Sequence, residues 1–110
     1  MLEIPYDIYE SPNEIVIIIP LWWVKKDSIS IEIKDYRLVI TWSREKLRLK
    51  EDFLPLKETC YWWDIQLEID LPPQCYFDKI HSKISADNVL DIVVPKALVP
   101  WKIELEVEYD

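Results

Sequence analysis

Apolar and polar side chains alternate along several segments of this chain with a period of two, the period of a β-strand with one buried face. The clearest segment is residues 63–71, where every second residue is apolar and the residues between them are Asp, Gln or Glu. Residues 29–33 and 102–109 follow the same pattern, while residues 15–19 form an uninterrupted run of β-branched side chains. Each of these segments predicts a strand, and the run at 15–19 suits a buried one.

Turn-forming residues separate four further predicted strands, at residues 6–10, 37–42, 78–84 and 89–94. Pro20, Pro72 and Pro95 end strands, because proline has no amide hydrogen for a sheet ladder. Asn88 closes the hairpin between the last two strands, because asparagine tolerates the left-handed conformation that glycine usually supplies. About eight or nine short strands with no convincing helix predict an all-β fold, an antiparallel β-sandwich.

Composition narrows the class of protein. The chain has 110 residues, half of them apolar, which is enough for one domain with one core. A net charge of −8 repels phosphate backbones, so no nucleic-acid partner is expected. The longest apolar stretch, residues 15–24, is too short to cross a bilayer, so no membrane partner is expected either. Cys60 and Cys75 are too far apart for a paired-cysteine motif and no secretory signal is present, so a cytoplasmic location is expected.

Nothing in the sequence predicts an active site, a metal site or a cofactor. His81 is the single histidine, and one histidine makes neither a histidine-based zinc site nor a relay pair. Carboxylates are numerous, but alternation places them on solvated strand faces rather than in a cleft. The chain contains no glycine, which excludes glycine-rich phosphate loops and leaves left-handed turn positions to Asn or Asp.

Two adjacent tryptophan pairs stand out, Trp22-Trp23 and Trp62-Trp63. Neighbouring strand residues point to opposite faces, so at most one tryptophan of each pair fits in the same core. The other is expected to be exposed, to cover a sheet edge or to enter an interface, and all four are candidate contact residues. This pattern does not decide between two roles for the second tryptophan of each pair. It either covers a sheet edge in a glycine-free fold or contacts a partner.

The order of the segments resembles the alpha-crystallin domain of small heat-shock proteins over about residues 6–107. The resemblance is carried by Tyr9-Glu10, residues 13–16, Pro20, residues 26–31, 38–40, 69–72, Asp78-Lys79-Ile80 and residues 88–96. It implies an immunoglobulin-like sandwich of two antiparallel sheets over residues 1–96 and a C-terminal extension at 97–110. It also implies a homodimer or larger homo-oligomer that binds partly unfolded client proteins without ATP.

The C-terminal extension contains Ile103-x-Leu105-x-Val107, which resembles the tail motif of that family. The resemblance implies that the tail docks as an extended segment in an apolar groove on a neighbouring subunit. The expected groove is lined by isoleucines of two strands, Ile29, Ile31, Ile33, Ile80 and Ile84. Alternatively, the tail is a last strand that pairs within its own sheet.

Some positions depart from the family pattern. The family typically has glycine where this chain has Leu21, Trp42, Trp63 and Asn88. Leu67 stands where the family often has an arginine used at the dimer interface. Residues 43–61 form a long charged loop where the family often carries an exchanged strand, so we expect this loop to reach a second subunit.

A second resemblance, to the CS-domain co-chaperones, rests on Lys96 followed by Trp101. It implies an adaptor that docks one specific folded partner protein. The sequence thus leaves two hypotheses, a chaperone that binds many unfolding clients and an adaptor that binds one folded partner, and neither needs catalysis.

Overall fold

Two antiparallel sheets packed face to face build the fold in the computed structural model, which describes residues 4–97. The strands are β1 (Asp7–Glu10), β2 (Glu14–Pro20), β3 (Ser30–Lys34), β4 (Arg37–Arg44), β5 (Trp63–Asp70), β6 (His81–Ile84) and β7 (Val89–Pro95). One sheet has the strand order β1-β2-β7-β6 and the other has β3-β4-β5. The prediction of an all-β antiparallel sandwich is confirmed. The strand predicted at 102–109 lies outside the described residues.

Alternate residues of β2, β4 and β7 build the centre of the sandwich. The buried side chains on these strands are Ile15, Ile17, Ile19, Leu38, Ile40, Trp42, Leu90, Ile92 and Val94. Ile17 lies opposite Ile92 and Ile19 opposite Leu90, so the buried side chains of β2 and β7 form one apolar surface. Full burial of one aliphatic side chain is worth about 1.5–3 kcal/mol, so this set is a main source of the stability of the fold.

β5 supplies another part of the core, but its first residue departs from the predicted alternation. Ile65 and Ile69 are buried and Leu67 is half-buried, as the period of two requires. Trp63 is 65% exposed, so the prediction that it contributes to the core with them is wrong. The φ angle of Trp63 is 74°, in the left-handed region, and this local change of backbone direction interrupts the alternation.

The strand predicted at 78–84 begins only at His81, because Phe77–Lys79 form a short 3-10 helix. The Lys79 amide donates to the Tyr76 carbonyl over 3.1 Å and closes this turn. A local hydrogen bond thus replaces the extended backbone that the sequence predicted for these residues. Ile84 lies on β6, whereas Ile80 precedes it, and both pack against the core.

Five non-glycine residues in the described part of the chain have a left-handed backbone, with φ between 51° and 74°. They are Trp23, Asp35, Tyr36, Trp63 and Asn88. Two are the Asp or Asn that the sequence predicted, but the other three are aromatic, so that prediction was too narrow. A left-handed residue with a Cβ atom costs roughly 1–2 kcal/mol. At Asn88, hydrogen bonds compensate, since its amide donates to Ser85 over 3.1 Å and its carbonyl accepts from Leu21 over 2.8 Å.

β7 ends next to Lys96, whose side chain is buried although it carries a charge. The ammonium contacts the Glu10 carboxylate and lies 3.1 Å from the Ser11 carbonyl oxygen. The backbone amide of Lys96 donates to the Asn13 carbonyl over 2.8 Å. A buried charge is tolerated when it is paired and hydrogen-bonded, and these contacts hold the end of β7 against the connection between β1 and β2.

Candidate docking surfaces

An open groove of about 380 Å³ lies between β3 and β6, which are edge strands of the two sheets. Its lining consists of Lys26, Ile29, Ile31, Ser82, Lys83, Ile84 and Leu90. The structure therefore brings together three isoleucines of the expected receiving groove, Ile29, Ile31 and Ile84. Edge strands present unpaired backbone groups, and together with an apolar floor they suit the binding of an extended peptide segment.

The remaining residues of the expected groove lie elsewhere. Ile33 is exposed near the turn between β3 and β4, and Ile80 packs against the core before β6 begins. Leu90 lines the groove but was missed from the sequence, although the hairpin register that places it opposite Ile84 was available as a signal. The tail motif lies outside the described residues, at Ile103, Leu105 and Val107.

Residues 45–62, which we call the arm, connect β4 to β5 without strand structure. The Phe53 amide donates to the Lys50 carbonyl over 3.1 Å and closes a turn, and the Lys46 ammonium lies 3.1 Å from the Glu58 carboxylate. Five large apolar side chains of the arm are at least 61% exposed: Leu47, Leu49, Phe53, Leu54 and Leu56. Exposed apolar side chains grouped on one segment mark an interaction surface.

β1 is the outermost strand of the four-stranded sheet, and all four of its residues are exposed. Its ladder with β2 uses only one side of its backbone, so among the described residues the other side has no strand partner. Ile8 and Tyr9 lie between Asp7 and Glu10 in the sequence, so the strand has two acidic and two largely apolar side chains. β1 is therefore a free edge that suits a strand with basic and apolar side chains.

Three of the candidate tryptophans, Trp22, Trp23 and Trp62, lie together in what we call the aromatic corner. The ring centroids of Trp23 and Trp62 are 5.8 Å apart with an interplanar angle of 30°, within the range of stabilising aromatic pairs. Trp22 and Trp23 are both exposed, so neither member of this pair lies in the core. Trp62 is half-buried and Trp63 is exposed, which agrees with the expectation that no pair fits wholly inside.

Beside these rings lies an open pocket of about 360 Å³, which we call the corner pocket. Its lining consists of Ile4, Pro5, Trp22, Trp23, Arg44, Thr59, Cys60, Tyr61 and Ile65. The Arg44 Nη1 atom donates to the Tyr61 carbonyl over 3.5 Å, whereas its Nε atom is buried with no acceptor among the described residues. Burial lowers the pKa of the Arg44 guanidinium, and the nearby Cys60 thiol opposes this effect. The guanidinium still remains charged at neutral pH.

Within the described residues, the metal-ligating side chains do not form a cluster. No group of three His, Cys, Asp or Glu side chains within residues 4–97 converges on a point that a metal ion would occupy. His81 is exposed on β6, and its Nδ1 atom lies 3.4 Å from the Lys79 carbonyl oxygen. Glu68 and Asp70 form ion pairs with Arg37 on a solvated face. None of the helices within these residues is long and apolar enough to cross a bilayer.

Comparison with known proteins identifies a family whose sequence pattern this chain matches. The profile of the Hsp20/alpha crystallin family matches residues 7–108 of the chain. No curated protein sequence matches it. The match extends over nearly all of the described sandwich and over the tail motif.

Several solved structures share the fold. Heat shock protein 16.0 from Schizosaccharomyces pombe superposes with a TM-score of 0.75 at 17% identity, covering 98% of this chain and 100% of that one. A small heat-shock protein from Xylella fastidiosa gives 0.74 at 19% identity and covers 98% of both chains. The Del-C4 mutant of hsp14.1 from Sulfolobus gives 0.66 at 26% identity, covering 84% of this chain and 75% of the other.

Proposed function

The chain belongs to the Hsp20/alpha crystallin family, and from this premise we propose that it binds partly unfolded client proteins without ATP and slows their aggregation. The family match over residues 7–108 is the observation that carries the proposal. A chaperone of this kind needs surfaces rather than catalytic groups, and the exposed arm, the free edge of β1 and the groove between β3 and β6 are such surfaces. An unfolding client exposes apolar side chains and unpaired strands that bind to the same features.

We infer that the tail at residues 97–110 docks in the groove of a neighbouring subunit. Three isoleucines and Leu90 form the apolar floor of this groove. In an extended tail, Ile103, Leu105 and Val107 are alternate residues and would lie on one side. The tail residues between them include two glutamates, whereas the groove has Lys26 and Lys83. This opposite charge favours the approach of the tail within a Debye length of about 8–10 Å.

We also infer that the arm of one copy pairs with β1 of a second copy in a dimer. The first limb of the arm, residues 46–50, alternates basic side chains with Leu47 and Leu49. β1 has a free edge and presents the Asp7 carboxylate and the apolar side chain of Ile8, whereas the Glu10 carboxylate is paired with Lys96. Opposite charges and apolar side chains across a strand pair each contribute favourably, and pairing would cover leucines that are otherwise exposed.

The adaptor hypothesis receives less support from the structure. Its sequence basis was Lys96 followed by Trp101, and the Lys96 ammonium is buried against Glu10 and Ser11 rather than offered to a partner. Trp101 lies outside the described residues. The cytoplasm stays the proposed location, with both cysteines as free thiols.

One pair of assays distinguishes the two hypotheses. Three unrelated proteins are heated with increasing amounts of the chain in the absence of nucleotide, and aggregation is followed by light scattering. We expect all three to be protected, with the arm deletion of residues 46–56 protecting less well. Protection of none of them, together with recovery of a single folded partner in a pull-down, would establish an adaptor instead.

A further inference from the structure

The corner pocket holds an arginine that does not use all of its hydrogen-bond donors. The Nε atom of Arg44 has no acceptor among residues 4–97, and the contact of its Nη1 atom with Tyr61 is long at 3.5 Å. The side chains of Trp22, Trp23 and Ile4 line the same pocket, so apolar groups share it with the guanidinium. An anionic acceptor that entered the pocket would therefore satisfy a buried donor and form a charge-assisted hydrogen bond.

We propose that the corner pocket binds the tip of the arm of a second copy of this chain, with a tip carboxylate on Arg44. The tip is residues 51–54, Glu-Asp-Phe-Leu, all of them exposed. Its two carboxylates match the guanidinium, and Phe53 matches the exposed rings of Trp22 and Trp23. This inference rests on the proposed dimer in which the arm pairs with β1.

The path of β1 directs the arm to this pocket. Ile4 and Pro5, which line the pocket, are separated from the start of β1 only by Tyr6. Every strand pair in the described residues is antiparallel. An arm limb that pairs with β1 in the same sense runs from Glu10 toward Asp7, and the turn at residues 50–53 then lies beside the residues that precede β1. The tip of the incoming arm thus arrives at the open side of the corner pocket.

The tip of the same chain does not occupy this place. Within one chain, the arm contributes only its base to the corner pocket, at residues 59–61. The tip contains the turn that the Phe53 amide closes on the Lys50 carbonyl, and none of residues 51–54 lines the pocket. The occupant that fits the chemistry therefore comes from another copy.

Cys60 makes the proposal testable by disulfide crosslinking, because its thiol is exposed and lines the pocket. One chain carries Asp52→Cys with Cys60→Ser and Cys75→Ala, and a second, mass-tagged chain keeps Cys60 and carries Cys75→Ala. The two chains are incubated until native mass spectrometry shows mixed dimers and are then oxidised mildly. We expect a disulfide between the two chains. A control chain with Glu32→Cys, on the outer face of β3, measures disulfides from random collision.

A charge test uses the same dimer. The double variant Glu51→Gln/Asp52→Asn and the single variant Arg44→Gln should each weaken the dimer about tenfold, as expected for loss of one charge-assisted hydrogen bond. Because both remove the same contact, their combination should weaken it no further than either one. Glu32→Gln/Asp78→Asn changes the net charge equally at exposed positions and should leave the dissociation constant unchanged.

The outcomes separate this inference from the proposed dimer. Selective crosslinking at residue 52, with non-additive loss of affinity, supports the corner pocket as the site of the arm tip. A dimer whose Asp52→Cys chain crosslinks no more than the Glu32→Cys control overturns the pocket assignment and leaves arm pairing standing. A chain that stays monomeric at all concentrations in sedimentation overturns arm pairing and this inference together.

Discussion

The β2–β7 pair and the arm contain similar aliphatic side chains but bury them very differently. In β2 and β7, residues such as Ile17, Ile19 and Ile92 have no exposed surface, because each strand has a partner on both sides and the other sheet above it. In the arm, Leu54 and Leu56 are more than four-fifths exposed, since no strand of the described chain pairs with residues 45–62. Hydrophobic content alone therefore does not identify the core. We expect β2–β7 to determine stability and the arm to determine assembly.

Truncation of matched side chains in the two regions tests this division most strongly. Ile17→Ala should lower the free energy of unfolding by about 2–5 kcal/mol, because it leaves a cavity in the core. Leu54→Ala, in the exposed arm, should change it by no more than about 0.5 kcal/mol. Urea titrations of both variants, at a concentration where the chain is monomeric, measure the difference. Equal losses would show that the arm packs on the sandwich in solution.

Deletion of the arm should have the opposite effect to a core truncation. It should strongly reduce assembly and change the free energy of unfolding little. Removal of residues 46–56 takes away the segment that we expect to pair with β1 of a second copy. Light scattering should then report a monomer where the full chain gives a dimer, while the circular dichroism spectrum keeps its β character. An unchanged mass would show that the contact lies elsewhere.

A tail variant tests the same division between stability and assembly at a second surface. Ile103→Ala/Leu105→Ala should lower the oligomeric mass while the melting temperature stays constant, because these side chains become buried only in a neighbour. A lower melting temperature at constant mass would instead identify the tail as a strand of its own sandwich. Lys102→Ala/Glu104→Ala, on the alternate positions of the same segment, is the matched control.

A smaller effect is expected where β5 meets the arm. Trp63 has a left-handed backbone, and Trp63→Gly removes the steric cost of its Cβ atom, offset by greater freedom of the unfolded chain. We expect a net gain of up to about 1 kcal/mol. The neighbouring Trp62→Gly has no such strain to relieve and loses its contact with Trp23, so it should destabilise. Thermal melts of the two variants, side by side, check the signs.

The smallest expected effect is a pH dependence of the free energy of unfolding that arises from a buried thiol. Burial raises the pKa of the Cys75 thiol above its ordinary value of 9.0; Lys96 opposes this shift and Glu10 adds to it. The folded chain therefore binds this proton more tightly than the unfolded chain does. The resulting stability is complete below the ordinary thiol pKa and is lost as the pH rises through the folded-state value. Cys75→Ala should make the alkaline decline in unfolding free energy shallower, and an identical slope would contradict this.

Much of the sandwich follows from the sequence, because burial on one face leaves a period of two. The core residues of β2, β4 and β7 obey this period, and so do Ile65 and Ile69 in β5. The prediction was wrong at Trp63 and at residues 78–80, where a left-handed residue and a 3-10 turn change the backbone locally. Both changes depend on local hydrogen bonds and tertiary packing, which hydrophobic periodicity does not report.

The docking surfaces were predicted less completely, because each depends on residues distant in sequence. Ile29, Ile31 and Ile84 meet across two sheets, as the family resemblance implied, whereas Leu90 joins them through the hairpin register. Arg44 was not singled out at all. Its significance appears only when the end of β4, the residues before β1 and the base of the arm come together around one pocket.

The buried Lys96 has a mechanical consequence for an assembled particle. A pull on the residues beyond 97 enters the sandwich here, where the backbone amides of Lys96 and Ala97 bond to Asn13 and Gln74. The ammonium of Lys96 adds its contacts with Glu10 and Ser11. We expect these bonds to share an applied force, so that the hydrogen bonds between β7 and β2 do not break one after another. If the tail docks on a neighbouring subunit as proposed, this anchorage would transmit force between subunits while β7 stays paired with β2.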